Sequence, residues 1–319
     1  MTTPRLAPTT RSPGPTGTMS LSQWGLLVLL SVLWGCTFLF VALALKQLPP
    51  FTIVLARVAM AAALLIPVVY LLGHRLPRTG AQWQPFMVMS ILNNVIPFSL
   101  MVTGQQTVAS GLVSVLNATT PLFSLLVAHA LTTDEKIRAS KLVGVGMGVV
   151  GVAVLVGPEA LFGRTSQGLG MIMVLAAALS YGFSGLWGRR LKASPPLVTA
   201  ASQLICSTAL LIPMAALFEQ PWLRPWPNQE TLIALVGLAS LSTALAYIIF
   251  FRIMAVSGST NVMLVTLLIP LTAIPLGIWW LGEQLLLRHF AGALVIGLSL
   301  LVIDGRLVRW LARSLSGRT

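Results

Sequence analysis

ASGLVSVLNATTP, residues 109–121, returns in altered spelling as GSTNVMLVTLLIP, residues 258–270. Each stretch opens on small residues, carries a polar residue midway and ends on proline, and thirteen residues past each proline stands an acid, Asp134 and Glu283. Both pairs are 149 residues apart. Upstream, Asn93-Asn94 aligns with Ser242-Thr243, and Phe98 with Tyr247. With small changes of offset, Leu33-Trp34-Gly35 meets Ser180-Tyr181-Gly182, Pro49-Pro50 meets Pro195-Pro196, and Arg57 falls opposite Gln203. Each match is weak alone; their common order over half the chain marks an internal repeat, the first feature to seek in any sequence.

The composition says where such a chain lives. Apolar residues fill 56% of the 319 positions and charged residues 8%, against roughly 25% charged in soluble domains. No Asp, Glu, Lys or Arg falls between Arg11 and Lys46, Arg78 and Asp134, Arg164 and Arg189, or Arg252 and Glu283. A helix needs about 20 mostly apolar residues to cross the hydrocarbon core, so each gap holds one or two crossings. The pattern predicts spans at 22–45, 51–73, 83–104, 108–131, 142–157, 168–188, 197–218, 231–251, 259–282 and 288–305, with turns at Gly104-Gln105-Gln106 and the two Pro-Pro pairs. The fold class expected is an all-α integral membrane protein of ten transmembrane helices in two five-helix repeats, 21–157 and 168–305. Residues 1–20, rich in Pro and Thr, read as a disordered tail, and 306–319 as a basic cytoplasmic tail. The first apolar stretch is too long for a cleaved signal peptide.

Five spans per repeat is an odd number, so the second copy lies upside down relative to the first. Inverted repeats of this kind recur in secondary transporters, with the substrate near mid-membrane between the copies.

Lys and Arg favour cytoplasmic loops. With the N-terminus inside, fifteen basic residues fall on the inner side and four, Lys46, Arg164, Arg224 and Arg288, on the outer. Both termini are therefore expected in the cytoplasm, and the protein in the plasma (inner) membrane. The same distribution explains a net charge of +13 without nucleic acid, which needs a clustered basic face. Cys36 and Cys206 lie inside apolar stretches as small buried residues, and no metal-ligand spacing is present.

The chain resembles the EamA family of the drug/metabolite transporter superfamily. The likeness rests on Trp34-Gly35 with Phe38, the Pro-Pro lead and Arg57, and the segment ending at Pro121. In the second copy it rests on Ser180-Tyr181, Gln203, STALAY (242–247), the Pro270 segment, Leu281-Gly282-Glu283 and Gly292. The resemblance implies a ten-helix inverted-repeat fold, export of amino acids, related metabolites or toxic compounds, and a central cavity lined by helices one, three, four, six, eight and nine. One departure is Thr133-Asp134-Glu135, where a Gly-Glu pair is usual; either acid could fill that place.

The candidate site residues are the polar and aromatic groups inside the spans. Arg57 is costly in a membrane unless paired or lifted to the interface; a structural or gating role, direct substrate contact, and snorkelling to the outer headgroups are the three readings. Asn93, Asn94, Asn117, Thr119 and Thr120 in helices three and four, and Thr243, Tyr247, Asn261 and Thr266 in the second copy, either bond helix to helix or line a cavity. Trp34 and Tyr181, repeat-equivalent and away from the interfacial belt, are packing or pocket wall. Pro121 and Pro270 break the helical ladder as static kinks or as hinges, with Glu283 a structural or gating acid beyond the second. His129 reads as an interfacial residue. Gly144, Gly148, Gly151 and Gly292 suit close helix approach, within the chain or between two copies of a homodimer.

No carboxylate lies mid-membrane, and no nucleophile–base pair, carbonyl filter or nucleotide loop is legible. That argues against an intramembrane enzyme, an ion channel and direct ATP drive, and no cofactor is expected. The function expected is secondary transport, as an exporter of a small amphipathic metabolite such as an amino acid. The alternatives are a multidrug exporter of the same fold, an intramembrane enzyme and a non-transport membrane protein.

Overall fold

The computed structural model describes residues 20–133, 139–162, 165–257 and 265–304, and every described element is helical. In chain order these are α1 (Leu21–Leu45), α2 (Pro50–Leu71), α3 (Gly80–Gly104), α4 (Ser110–Leu131), α5 (Ala139–Phe162), α6 (Ser166–Leu191), α7 (Pro196–Phe218), α8 (Gln229–Met254), α9 (Val265–Leu281) and α10 (Leu287–Asp304). Seven of them, α1–α4 and α6–α8, are long and apolar enough to cross a membrane; α5, α9 and α10 supply shorter apolar stretches. Asp134 and Asn261 lie outside the described residues.

The starts are set by local chemistry. Ser20 with Gln23 and Thr79 with Gln82 form capping boxes, and the second starts α3 at Gly80 rather than at 83 as the apolar pattern predicts. Asn228 caps α8 by accepting the Thr231 amide at 2.9 Å. Pro50 and Pro196 occupy the first helical position, where the missing N–H is harmless. Outward-facing side chains such as Val28, Leu64, Val149, Ile172, Leu271 and Leu294 are exposed and apolar, as a lipid-facing surface requires.

Packing pairs helices across the two halves of the chain. α1 lies against α9 and α8, while α6, its counterpart, lies against α4 and α3; α2 pairs with α7 and α5 with α10. The contacts match at the level of single residues. A Cβ on Gly35 would fall 2.6 Å from Thr272 Cβ, and one on Gly182 would fall 3.1 Å from the Phe123 carbonyl carbon. Gly35 and Gly182 are repeat partners, and so are Phe123 and Thr272. Between α5 and α10, a Cβ on Gly151 would meet the Ile296 amide nitrogen at 2.9 Å and the Gly292 oxygen at 3.2 Å, and one on Gly148 would meet Ser299 Oγ at 2.8 Å. The glycine face of these helices is therefore occupied within the chain. Without side chains in the way, the backbones approach closely, which is how helices adhere where burial from water offers no driving force.

Glu219, Glu230 and Glu283 lie at one end of the bundle. Glu219 accepts the Phe51 and Thr52 amides at 2.8 and 2.6 Å, and the Thr52 hydroxyl at 2.8 Å, tying the end of α7 to the start of α2. Glu283 accepts the Ser110 and Gly111 amides at 2.5 and 3.0 Å, tying the loop after α9 to the start of α4. Both satisfy amides that a helix start leaves without an internal acceptor. Lys46 and Glu230 form an exposed ion pair at 3.0 Å.

Candidate substrate site

Two π-helical turns position the middle of the bundle. In α3 the turn is Ile91–Val95, and the Ile96 amide reaches back to the Ile91 carbonyl. Pro97 follows, and the wider turn accommodates a residue that cannot donate to the ladder. In α8 the turn is Ser240–Leu245, with no proline. Here hydroxyls stand in the ladder: Thr243 Oγ1 donates to the Leu238 carbonyl at 2.8 Å, and Ser242 Oγ crosses to the Leu33 carbonyl of α1 at 2.5 Å. Single π turns inside α-helices are frequent at functional sites. These two carry Asn93-Asn94 and Ser242-Thr243, which are repeat partners, and deliver them to the interior: Asn94, Ser242 and Thr243 are fully buried.

Around them lies a buried polar cluster drawn from α2, α3, α6, α7 and α8. Arg57 donates from Nε to Thr243 Oγ1 at 2.9 Å and sets its guanidinium 3.8 Å from the centre of the Phe98 ring. Opposite, Gln203 Oε1 accepts from Asn93 Nδ2 at 3.2 Å. Asn94 Nδ2 donates to Ser207 Oγ at 2.9 Å, and Ser207 Oγ donates to the Gln203 carbonyl at 2.6 Å. Tyr247 donates from its hydroxyl to Asn94 Oδ1 at 3.3 Å, and Ser184 to Asn93 Oδ1 at 3.1 Å. The Tyr181 and Tyr247 phenols both lie near Arg57. Arg57 on Thr243 is thus mirrored helix for helix by Gln203 on Asn93, the neighbour of Thr243's repeat partner Asn94, each joining the second helix of one copy to the third helix of the other.

Arg57 is 5% exposed. Snorkelling is therefore excluded: the head is held inside by Thr243 and Phe98 rather than lifted to the headgroups.

A second group of polar residues surrounds the break in α4. The helix runs Ser110–Asn117, stops for two residues, and resumes at Thr120–Leu131. Pro121 deprives the Asn117 carbonyl of its normal donor, and Thr120 Oγ1 supplies one at 2.7 Å. Thr119 Oγ1 likewise donates to the Leu116 carbonyl. Asn117 Oδ1 is buried without a partner. α9, by contrast, is one unbroken helix across Pro270. The equivalent prolines act differently: the first copy brings the Thr120 hydroxyl to the carbonyl that Pro121 frees, where the second copy has Ile269.

The expected site residues therefore fall in two places. Arg57, Asn94, Tyr181, Thr243 and Tyr247 converge on the polar cluster. Trp34, 5.5 Å from Phe250 between ring centres, packs into a separate apolar cluster shared by α1, α4, α5, α6, α8, α9 and α10. Asn117, Thr120 and Thr266 stand on α4 and α9, away from Arg57's hydrogen bonds. His129 is exposed in the last turn of α4. The pattern reading missed Ser184 and Ser207, which complete the cluster. Ser207 follows Gln203 by one helical turn and Ser184 follows Ser180 by one turn, the spacing that puts side chains on a common face.

Known proteins place this architecture. The model of the EamA-like transporter family matches the chain twice, at residues 23–157 and 168–304. The chain is 24% identical over 271 residues to an uncharacterized transporter, YoaV, of Bacillus subtilis, covering 85% of this chain and 92% of that one. It is 25% identical over 268 residues to an uncharacterized inner membrane transporter, YedA, of Escherichia coli, covering 83% and 85%. Protein PecM of Dickeya dadantii is 25% identical over 276 residues, covering 85% and 88%. A solved crystal structure of a protein 20% identical superposes with a TM-score of 0.65 over 92% of this chain and 98% of that one, and so shares the fold. With both halves matched, the chain belongs to the EamA-like transporter family.

Proposed function

We propose that the protein is a secondary transporter of the plasma membrane, with ten crossings in two inverted five-helix repeats and both termini in the cytoplasm. It exports a small amphipathic metabolite, an amino acid or a close relative, by rocking one repeat against the other about the buried polar cluster. The observation that carries this reading is the mirrored pair Arg57–Thr243 and Asn93–Gln203. A solute bound at such a centre meets contacts from both copies, so opening the copies on either face exposes the same groups. The end that carries Glu219, Glu230 and Glu283 is the outer one, because Arg75, Arg78, Arg189, Arg190 and Lys192 lie in or just beyond the last turns at the opposite helix ends.

The test is flux. Purified protein in liposomes loaded with labelled amino acids and other small metabolites is expected to release a subset of them, and to lose that release in Asn94→Ala. An imposed pH gradient reports proton coupling in the same experiment. Equal leakage of all solutes, or none of any, would defeat the reading.

A further inference from the structure

Among the described residues no carboxylate pairs with Arg57. Arg57 is 5% exposed, its Nε is committed to Thr243, its face lies on Phe98, and Nη1 is buried with no hydrogen-bond partner. Lys46 and Glu230 form an ion pair at the end of the bundle. Glu219 and Glu283 stand at that same end, engaged with helix starts. A guanidinium is charged at any physiological pH. A buried donor left unpaired is a standing penalty, larger when the group is charged.

The repeat supplies an internal control for why the charge is there. Arg57 is the eighth residue of a proline-led helix, and Gln203 is the eighth residue of its counterpart. Gln203, 2% exposed, holds α7 to α3 through Asn93 with a neutral amide. The architecture at this place is thus served by an uncharged side chain, so joining the second helix to the third does not itself require a cation.

We infer that Arg57 is the anion receptor of the transport site, and that the solute carries a carboxylate which takes the Nη1 donor as its counter-ion. This rests on the transport reading above and narrows its substrate class. The neighbouring groups suit a carboxylate. The Tyr181 phenol lies near Arg57 and offers an O–H donor to a second oxygen, to which the Tyr247 phenol can turn its proton from Asn94. Apolar side chains of α2, α3, α7 and α8 form the surroundings, so the remainder of the solute is small and largely uncharged. A phosphate monoester carries close to two negative charges and three acceptor oxygens, more than one free guanidinium nitrogen and two phenols satisfy.

The test separates binding from flux. Thermal stability of the purified protein is measured with the twenty L-amino acids, their amides, the corresponding decarboxylated amines, and isopentyl phosphate. At least one amino acid is expected to raise the melting temperature while its own amide and amine do not. Arg57→Gln, which copies the residue of the second repeat, is expected to fold and to bind that amino acid at least tenfold more weakly. Arg57→Lys keeps the charge without the fork and should fall between. The matched acid and amide in wild type carry the test even if a variant misfolds. Amides or amines that stabilise as well as acids, a preference for isopentyl phosphate, or no stabilisation by any carboxylate would each overturn the inference. Selective carboxylate binding without flux would keep it and defeat transport instead; flux of amines without carboxylate preference would do the reverse.

Discussion

Glu283→Ala tests the tie between the loop after α9 and α4. Ser110 and Gly111 are the first residues of α4, so their amides have no acceptor inside the helix. Glu283 accepts both, at 2.5 and 3.0 Å. A hydrogen bond to a charged group contributes about 1.5–3 kcal/mol when buried; the half-exposed carboxylate leaves room for water to compensate, so about 2 kcal/mol for the pair is the working figure. Since 1.4 kcal/mol is tenfold, amide exchange at Ser110 and Gly111 should quicken by roughly 30-fold in Glu283→Ala. Glu283→Gln keeps one carbonyl acceptor and should give about half that free energy. Hydrogen–deuterium exchange with mass spectrometry on the reconstituted protein reads both. The linkage predicts that exchange elsewhere, at the start of α2 for example, stays unchanged, because Glu219 holds that site. Unaltered exchange at 110–111 in Glu283→Ala would refute the reasoning, as would an equal loss of protection across the whole bundle.

Three further outcomes follow from packing and hydrogen bonding. Gly35→Ala places a methyl 2.6 Å from Thr272 Cβ, so α1 and α9 must part; a loss of about 1–3 kcal/mol is expected. Gly182→Ala, pressed against Phe123 at 3.1 Å, should move unfolding in the same direction, and a neutral result at both positions would contradict the close contacts. Lys46→Ala removes an ion pair whose side chains are 53% and 46% exposed, and should change stability by less than about 0.5 kcal/mol in a denaturation series. Thr120→Val removes the donor to the carbonyl that Pro121 frees and should cost about 1 kcal/mol. In a Pro121→Ala background, where a backbone N–H returns, the same change should cost clearly less; a double-mutant cycle showing no coupling would reject that role.

The amino-acid sequence determined by itself that this is a helical membrane protein with spans close to those observed. Charge is too expensive in hydrocarbon to be placed freely, so its scarcity marks the apolar helices, with Arg57 in α2 the exception, and Pro-Pro and Gly-Gln-Gln mark turns between them. The pairing of Arg57 with Gln203 and of Asn94 with Thr243 was likewise legible, because duplication leaves residue types in order. What no linear pattern could decide is which polar residues meet. Asn94, Asn117, Thr120 and Thr243 look alike as polar groups inside apolar helices, yet Asn94 donates to Ser207 and Thr243 accepts from Arg57 across helices, while the Thr120 hydroxyl donates to its own backbone. The difference lies in the π turns and in the break before Pro121. Each rotates or redirects the residues around it, and whether a hydroxyl finds a backbone carbonyl or another helix depends on that rotation. Arg57 shows the same limit: the membrane demanded that it be lifted out or satisfied, and only packing against Thr243 and Phe98 decided that it stays inside, with one donor unclaimed.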